Sequence, residues 1–271
     1  MAAAARAIVT RPAREAAQWV AKLQARGLAA CALPLIAIRP VSDPALRQAL
    51  QQARERFASY RAVMFVSGNA AQYFFEENRA AALIHQALDA INTRVWAPGP
   101  GTAAALRQAG LAAARIDTPC ANAEQFDSET LWQVVAPQIA AGHRVLIVRG
   151  SNTPAAEGGN GREWLAGRIT AAGGAVDFVA AYERGAPRLD AAQQALARQS
   201  ASDGSVWLLS SSEAVAHLAT ALPGQDWGRA RALTTHPRIA DAAHAAGFGQ
   251  VLECRPRFED VVASIESLHE H

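Results

Sequence analysis

Three short segments recur in similar form in this chain, in the same order and at nearly constant spacing. Each is an apolar run that ends in small or charged residues. The pairs are residues 8–11 with 146–149, 63–67 with 206–210, and 94–100 with 231–237, at offsets of 138, 143 and 137 residues. The consistent offsets indicate an ancient duplication, so we expect two similar halves.

Strand and helix patterns alternate along both halves. Residues 7–10 form an apolar run, and a helical pattern follows from Pro12, with Trp19 and Leu23 on one face and Gly27 at its end. Alternating strands and helices predict parallel sheets covered on both faces. We therefore predict an α/β fold of two flavodoxin-like, doubly wound lobes. The last helix carries one apolar stripe: Phe258, Val261, Val262, Ile265 and Leu268.

Two apolar runs that are far apart in the sequence are predicted to join the halves. Residues 31–38 are predicted as one strand, and residues 178–184 form a second extended run that ends in charge. We predict that residues 34–40 and 178–184 pair as a two-stranded β linker. The first lobe then comprises 1–37 and 185–271, the second lobe comprises 41–177, and the site is expected in the cleft between them.

Composition and charge exclude several classes of protein. Of the 271 residues 51% are apolar, which supplies a sizeable core, but no apolar run reaches the roughly 18 residues of a membrane helix. A net charge of +2 argues against nucleic acid or an anionic membrane as a partner. Cys31, Cys120 and Cys254 are scattered, so we expect neither disulfides nor a metal site. We expect a cytoplasmic monomer.

Most predicted strands end in small or hydroxylated residues directly before a helix. Ligands of doubly wound sheets bind at these carboxyl ends, and a helix N-terminus offers N–H groups and a positive dipole to an anion. N-capping alone explains any single turn, but repetition of the pattern favours a polyanionic ligand. The residues are Thr10, Arg11, Ser67, Gly68, Asn69, Gly101, Thr102, Arg149, Gly150, Ser210, Ser211, Ser212, Thr235 and His236.

Few side chains are suited to acid–base catalysis, and the common phosphate-loop, dinucleotide and nucleophile-elbow motifs are missing. Tyr182 is the best candidate, because a phenol can donate a proton to a leaving group. Packing of the strand with a solvated hydroxyl explains it equally well. A local structural role explains His236 better than catalysis does. Arg11, Arg149 and Arg184 are candidate ligands of carboxylates.

Together these segments resemble the uroporphyrinogen-III synthase family, the cofactor-free enzymes that close the tetrapyrrole ring in haem, sirohaem and cobalamin synthesis. The order and spacing of the motifs are specific, and they span almost the full length. They are VTRP at 9–12, LPLI at 33–36, FVSGNA at 65–70, GPGTA at 99–103, FDSE at 126–129, LIVRG at 146–150, YER at 182–184, SSSEA at 210–214 and THPRIA at 235–240.

The resemblance implies two lobes, a two-stranded linker and a substrate, hydroxymethylbilane, that carries eight carboxylates. It implies dehydration and ring closure with inversion of the terminal pyrrole ring through a spiro intermediate, without cofactor or metal. Tyr182 matches the family's tyrosine, to which loss of the hydroxyl group is attributed, and Arg238 joins the strand-end residues as a candidate substrate contact. Because the family binds largely through backbone amides, we expect substitution of Ser67 or Ser211 to do little.

Two features depart from the family pattern. Residues 151–161 form a glycine-rich insertion, since the offset grows from 138 at Arg149 to 146 at Gly173; it is interpreted as a mobile flap or as a loop without function. Gly68 stands where a bulkier residue is usual, which argues against a side-chain contact from that turn. A non-catalytic two-lobed module that closes over a polyanion or a tetrapyrrole is the alternative function.

Overall fold

The computed structural model describes residues 6–75, 92–120, 125–152 and 160–269. The chain divides into two compact units, which we call unit 1 (Met1–Ile38 and Gly185–His271) and unit 2 (Arg39–Arg184). No helix within the described ranges is long and apolar enough to cross a membrane. The assignment of residues 34–40 and 178–184 to a linker stays a prediction.

Strands and helices alternate along the described ranges. The strands are β1 Ala7–Val9, β2 Ala30–Ala32, β3 Ala37–Pro40, β4 Ala62–Phe65, β5 Arg94–Trp96, β6 Ile116–Asp117, β7 Arg144–Asn152, β8 Ala175–Gly185, β9 Val206–Leu209, β10 Arg231–Thr234 and β11 Gln250–Glu253. The α-helices are α1 Ala13–Ala25, α2 Pro44–Glu55, α3 Gly68–Phe75, α4 Pro100–Gln108, α5 Ser128–Val135, α6 Asn160–Ala171, α7 Ala191–Ser200, α8 Ser212–Ala221, α9 Pro237–Ala245 and α10 Phe258–His269. Short 3-10 helices cover Phe57–Ser59, Ala113–Arg115 and Ala136–Gln138.

Unit 1 contains a parallel sheet in the order β11-β10-β9-β1-β2. Successive side chains of a strand point to opposite faces, so Ile8 and Val9 enter different core clusters. On the face of Ile8, Trp207 packs edge-on against Trp227, which stacks on Phe248 at 5.2 Å between ring centroids. On the other face α1 and the predicted stripe of α10 cover the sheet. Burial on both faces explains why these strands are apolar throughout.

Unit 2 contains a sheet in the order β3-β8-β7-β4-β5-β6, in which β4 to β8 run parallel. On one face α5 and α6 pack over Met64, Trp96 and Ile147. Four phenylalanines form an aromatic cluster with ring centroids 5.2–6.4 Å apart: Phe57, Phe65, Phe74 and Phe75. Two of them come from α3, so this cluster fixes the helix that begins after β4.

The duplicated segments occupy equivalent places in the two sheets. Unit 1 reads β2-β1-β9-β10-β11 and unit 2 reads β8-β7-β4-β5-β6, so β1 corresponds to β7, β9 to β4 and β10 to β5. In unit 1 this is the 2-1-3-4-5 strand order of flavodoxin-like folds. Gly27 and Gly173, which follow α1 and α6, both have positive φ, at 79° and 86°, where a side chain is strained. The predicted α/β fold class is confirmed.

The prediction of one continuous strand over residues 31–38 is wrong. β2 ends at Ala32, and β3 begins only at Ala37, in the other sheet. Between them the N–H groups of Leu33 and Leu35 donate to Val9 O and Thr10 O at 2.9 and 3.1 Å. Both leucines are fully buried in unit 1, and Pro34 has no N–H to donate. The run is therefore apolar because its side chains fill a core, not because it is one strand.

Candidate active site

The turn after β4 places a serine at the N-terminus of α3. Ser67 Oγ accepts a hydrogen bond from the backbone N–H of Ala70 at 3.1 Å, which is N-cap geometry. Gly68 begins the helix, and a Cβ added there would lie 3.4 Å from Cβ of Ala105 in α4, at the near edge of ordinary contact. Ser67 therefore caps α3, and Gly68 lies where α3 and α4 pack together.

Tyr182 lies in β8 with only 6% of its surface exposed. Its hydroxyl oxygen is 3.3 Å from Ser67 Oγ, and its ring centroid is 6.0 Å from that of Tyr73 in α3. The phenol is thus held between its own strand and the first turns of α3. Sequence reasoning missed Tyr73; the available signal is its spacing of four residues from Asn69, which places both on one side of the helix.

Gly150 makes room for the Tyr182 ring. The two residues are paired in the register of β7 and β8, next to an irregularity between Arg149 and Gly150. A Cβ added at residue 150 would lie 2.6 Å from Cε2 and Cζ of Tyr182 and 3.0 Å from its hydroxyl oxygen. The position requires glycine as long as the phenol keeps its place, because the ring occupies the space of the missing side chain.

The prediction that a strand ends at Arg149 and Gly150 is wrong. β7 continues to Asn152, because β8 is long enough to pair with it up to Arg184, and α6 begins only at Asn160. Residues 153–159 of the insertion lie outside the described residues. The guanidinium of Arg149 lies 4.9 Å from the ring centroid of Phe178. This cation–π contact holds the Arg149 side chain against Phe178, which is itself 42% exposed.

The first two residues of α4 are exposed. Gly99 is its N-cap residue and Pro100 its first residue, where a missing N–H costs nothing. A Cβ added at Gly101 would meet no atom within 4 Å, whereas Thr102 is buried. Phe126 packs beside Gly99 and is 43% exposed. The backbone of this turn is therefore accessible beside an aromatic side chain.

Glu183, the next residue after Tyr182, ties β8 to the segment before α2. Its Oε1 accepts hydrogen bonds from the N–H and the hydroxyl of Ser42, at 2.6 and 2.7 Å. These bonds favour the carboxylate, so they lower the pKa of Glu183 below its ordinary value of 4.5. Sequence reasoning missed this contact, since Ser42 and Glu183 are 141 residues apart.

The two residues that follow β1 have different environments. Thr10 is fully buried and donates its hydroxyl to Leu208 O at 2.7 Å, which ties β1 to β9. Arg11 stacks on Trp19, with Cζ 4.6 Å from the ring centroid, and pairs with Glu15 at 3.6 Å. Burial lowers the pKa of Arg11 and the Glu15 carboxylate offsets part of that effect. Thr10 is structural, while Arg11 is a positioned cation.

The remaining strand-end residues of unit 1 lie at two helix starts. His236 is the N-cap residue of α9, where its Nδ1 accepts the N–H of Arg238 at 3.1 Å. This confirms the local structural role predicted for His236. Ser211 is the N-cap residue of α8 without a capping bond from its side chain, and Ser212 begins that helix.

A small pocket opens at the strand ends of unit 1. It combines an apolar floor with a few polar groups: Val9, Arg11, Trp19, Leu208, Leu209, Ser210, Leu233, Thr235, Cys254 and Val261. Burial raises the pKa of the Cys254 thiol. Across the described residues no group of three or more His, Cys, Asp or Glu side chains could hold a metal ion.

The structure thus brings together two sets of predicted residues. In unit 2, Ser67 and Gly68 begin α3 beside Tyr182 and Gly150. In unit 1, Arg11 and Ser210 line one pocket. A family model described as Uroporphyrinogen-III synthase HemD matches residues 17–263.

The chain belongs to the uroporphyrinogen-III synthase family.

Curated relatives and solved structures agree with this membership. The chain is 27% identical to the uroporphyrinogen-III synthase of Escherichia coli over 90% of this chain and 92% of that protein. It is 28% identical to the Chlorobaculum parvum enzyme of the same name over 53% of this chain, spanning about half (52%) of that relative. Two solved structures share the fold over nearly their whole length. The Helicobacter pylori uroporphyrinogen-III synthetase has a TM-score of 0.56 and 13% sequence identity, over 97% of this chain and 99% of that one. A mutant Thermus thermophilus uroporphyrinogen III synthase has a TM-score of 0.52 and 16% sequence identity, over 98% of this chain and 99% of that one.

The comparisons confirm the family and the function predicted from the sequence. The relatives are uroporphyrinogen-III synthases by name, and the family places the chain among the lyases of tetrapyrrole biosynthesis, which act on a small-molecule tetrapyrrole. Which side chains perform the reaction is a separate question, and it depends on the geometry around Tyr182.

Proposed function

We propose that this chain dehydrates and cyclises hydroxymethylbilane to uroporphyrinogen III, with Tyr182 as the acid that protonates the departing hydroxyl group. One observation carries this assignment: the Tyr182 hydroxyl is held at the N-terminus of α3, 3.3 Å from Ser67 Oγ, by a ring packed over Gly150. A phenol fixed by packing does not have to be oriented again for each turnover, which is the advantage of preorganisation.

The proposed reaction conserves atoms and charge. The carbon–oxygen bond of the hydroxymethyl group breaks, its electron pair stays on oxygen, and this oxygen takes the Tyr182 proton and leaves as water. An azafulvene cation and a phenolate remain. Attack by the substituted carbon of the terminal pyrrole gives the spiro intermediate, and rearrangement inverts that ring. The proton that is released at the end restores the tyrosine.

Substrate carboxylates are proposed to bind at helix N-termini rather than to a dense group of cations. In unit 2 the candidates are the first turns of α3 and α4, whose N–H groups and dipoles favour anions. Arg11 and Arg149 are held by aromatic rings and supply fixed positive charge. The proposed contact residues are Arg11, Ser67, Gly68, Asn69, Gly101, Thr102, Arg149, Gly150, Ser210, Ser211, Ser212, His236 and Arg238. We further propose that the protein acts as a monomer in the cytoplasm and does not bind nucleic acid.

A coupled assay tests the activity and the acid separately. Hydroxymethylbilane is generated in place, the products are oxidised, and the type I and type III isomers are separated; spontaneous closure gives type I. We expect type III from the wild type. We expect Tyr182→Phe to lower kcat by about 10²- to 10⁴-fold, the usual contribution of a general acid.

Tyr60→Phe is the matched control, because it removes the hydroxyl of a buried tyrosine that follows the 3-10 helix Phe57–Ser59, outside the proposed site. It should keep the wild-type kcat. If folded wild-type protein gave only type I, the proposed function would be refuted, and titration with tetrapyrroles would test a binding module. If Tyr182→Phe kept the wild-type rate, the reaction would stand without this acid.

A further inference from the structure

The hydroxyl group of Ser67 has one proton to donate and two lone pairs. Within the described part of the chain its oxygen has two partners: the N–H of Ala70, which it accepts at 3.1 Å, and the Tyr182 hydroxyl at 3.3 Å. The bond to Ala70 uses only a lone pair. The serine proton is therefore available to the tyrosine oxygen, and the serine also has a lone pair to accept the tyrosine proton.

The direction of the bond between the two hydroxyl groups decides whether Tyr182 can act. If Tyr182 donates to Ser67, its proton is committed to the serine and cannot reach a leaving group. If Ser67 donates to Tyr182, the phenol keeps its own proton for the substrate. The second arrangement also supports the phenolate that forms when this proton leaves, because a hydrogen bond to a charged oxygen is stronger than one to a neutral oxygen.

We infer that the Ser67 hydroxyl group donates a hydrogen bond to the Tyr182 oxygen during the dehydration step and that Ser67 is a positioning residue for this acid. The inference rests on the proposed role of Tyr182. As the tyrosine proton moves to the departing oxygen, the electron pair of its O–H bond stays on the phenolate, and the Ser67 proton remains on serine. Because Ser67 Oγ also accepts an N–H of α3, the bonds form one chain from that helix to the phenolate, and they strengthen one another.

This role differs from the expectation that substitution of Ser67 does little. That expectation treats Ser67 as a backbone contact of the substrate, whereas its side chain joins α3 to Tyr182 over a separation of 115 residues. Loss of the cap and loss of the contact with tyrosine both follow from Ser67→Ala. The experiment must separate these two effects.

The test measures kcat and KM in the coupled assay for the wild type, Ser67→Ala, Ser67→Thr, Tyr182→Phe and the double variant Ser67→Ala/Tyr182→Phe. We expect Ser67→Ala to lower kcat by about 10-fold, as for loss of a hydrogen bond to a charged group, with KM changed less than about twofold. Ser67→Thr keeps the hydroxyl and should restore most of kcat. In the Tyr182→Phe background, Ser67→Ala should have no further effect on kcat, because the tyrosine hydroxyl to which Ser67 donates a hydrogen bond is absent.

Asp190→Ala is the matched control for lost capping. Asp190 caps α7 in unit 1 through a bond to the N–H of Gln193, so this variant should lower the denaturation midpoint and leave kcat unchanged. The inference is overturned if Ser67→Ala slows Tyr182→Phe by the same factor as it slows the wild type, or if Ser67→Thr is as slow as Ser67→Ala. A wild type without type III product would instead refute the proposed function, and an active Tyr182→Phe would refute the assignment of the acid.

Discussion

Replacing Gly150 with alanine adds one methyl group directly under the Tyr182 ring. The added Cβ would lie 2.6 Å from Cε2 and Cζ, whereas ordinary contacts begin at 3.4 Å. To reach a favourable carbon–carbon separation the ring must move by about 1 Å. Gly150 and Tyr182 are paired within the β7–β8 ladder, and two more residue pairs follow them, so the strands cannot separate there without losing hydrogen bonds, and the ring moves instead.

This displacement should affect catalysis more than folding. A misplacement of about 1 Å costs roughly 10²-fold in rate, so we expect kcat of Gly150→Ala to fall by about that factor. Overpacking typically costs about 1–3 kcal/mol, so the free energy of unfolding should fall modestly and the protein should stay folded. The isomer assay gives kcat, and urea denaturation gives the change in unfolding free energy.

Gly167→Ala is the matched control. Gly167 lies inside α6, and an added Cβ would meet no atom within 4 Å. This variant should keep the wild-type kcat and gain up to about 1 kcal/mol of stability, since alanine favours helix over glycine. The reasoning is refuted if Gly150→Ala keeps the wild-type kcat, or if it slows Tyr182→Phe, which has no hydroxyl to misplace, as much as it slows the wild type.

Two further predictions concern hydrogen bonds that hold each unit. The pKa of Glu183 is lower when folded, so its stabilising effect is complete above about pH 4.5, the unfolded value, and is lost as pH falls through the lower folded pKa. At pH 7 the free energy of unfolding of Glu183→Gln should therefore be lower than that of the wild type, by less than about 1 kcal/mol because the group is largely solvated. The difference should vanish once the pH falls below the folded pKa of Glu183. A constant difference from pH 7 to pH 3 would contradict this. Thr10→Val removes the buried hydrogen bond to Leu208 O and should lower the free energy of unfolding, measured by urea denaturation, by about 1–3 kcal/mol. The control Thr220→Val removes an exposed hydrogen bond within α8 and should change this free energy by less than about 0.5 kcal/mol. Equal effects of the two substitutions would show that the Thr10 bond is not stabilising.

The halves of the fold were predictable because duplication and periodicity are local. Gly27 and Gly173 follow the corresponding helices α1 and α6 of the two halves, and each adopts the left-handed backbone expected after a helix. N-capping by Ser67 followed from its place before a helix. These inferences needed only spacing and side-chain chemistry.

The errors arose where a residue's partner is distant in the sequence. The run over residues 31–38 reads as one strand, yet its leucines fill the core of unit 1 and β3 joins a different sheet. β7 continues past Gly150 because β8 is long enough to pair with it. The local sequence pattern predicts neither the break in the 31–38 run nor the extension of β7, because a buried turn and a strand both contain apolar residues.

The sequence by itself determined the alternation of strands and helices, the helix caps and the family, since these depend on neighbouring residues and on the order of motifs. Only the tertiary structure decided that the Tyr182 ring lies over Gly150 and that its hydroxyl meets Ser67. The physical reason is register: the pairing of β7 with β8, and of β4 with β7, sets which side chains meet across the sheet. A shift of one residue would turn each side chain to the other face.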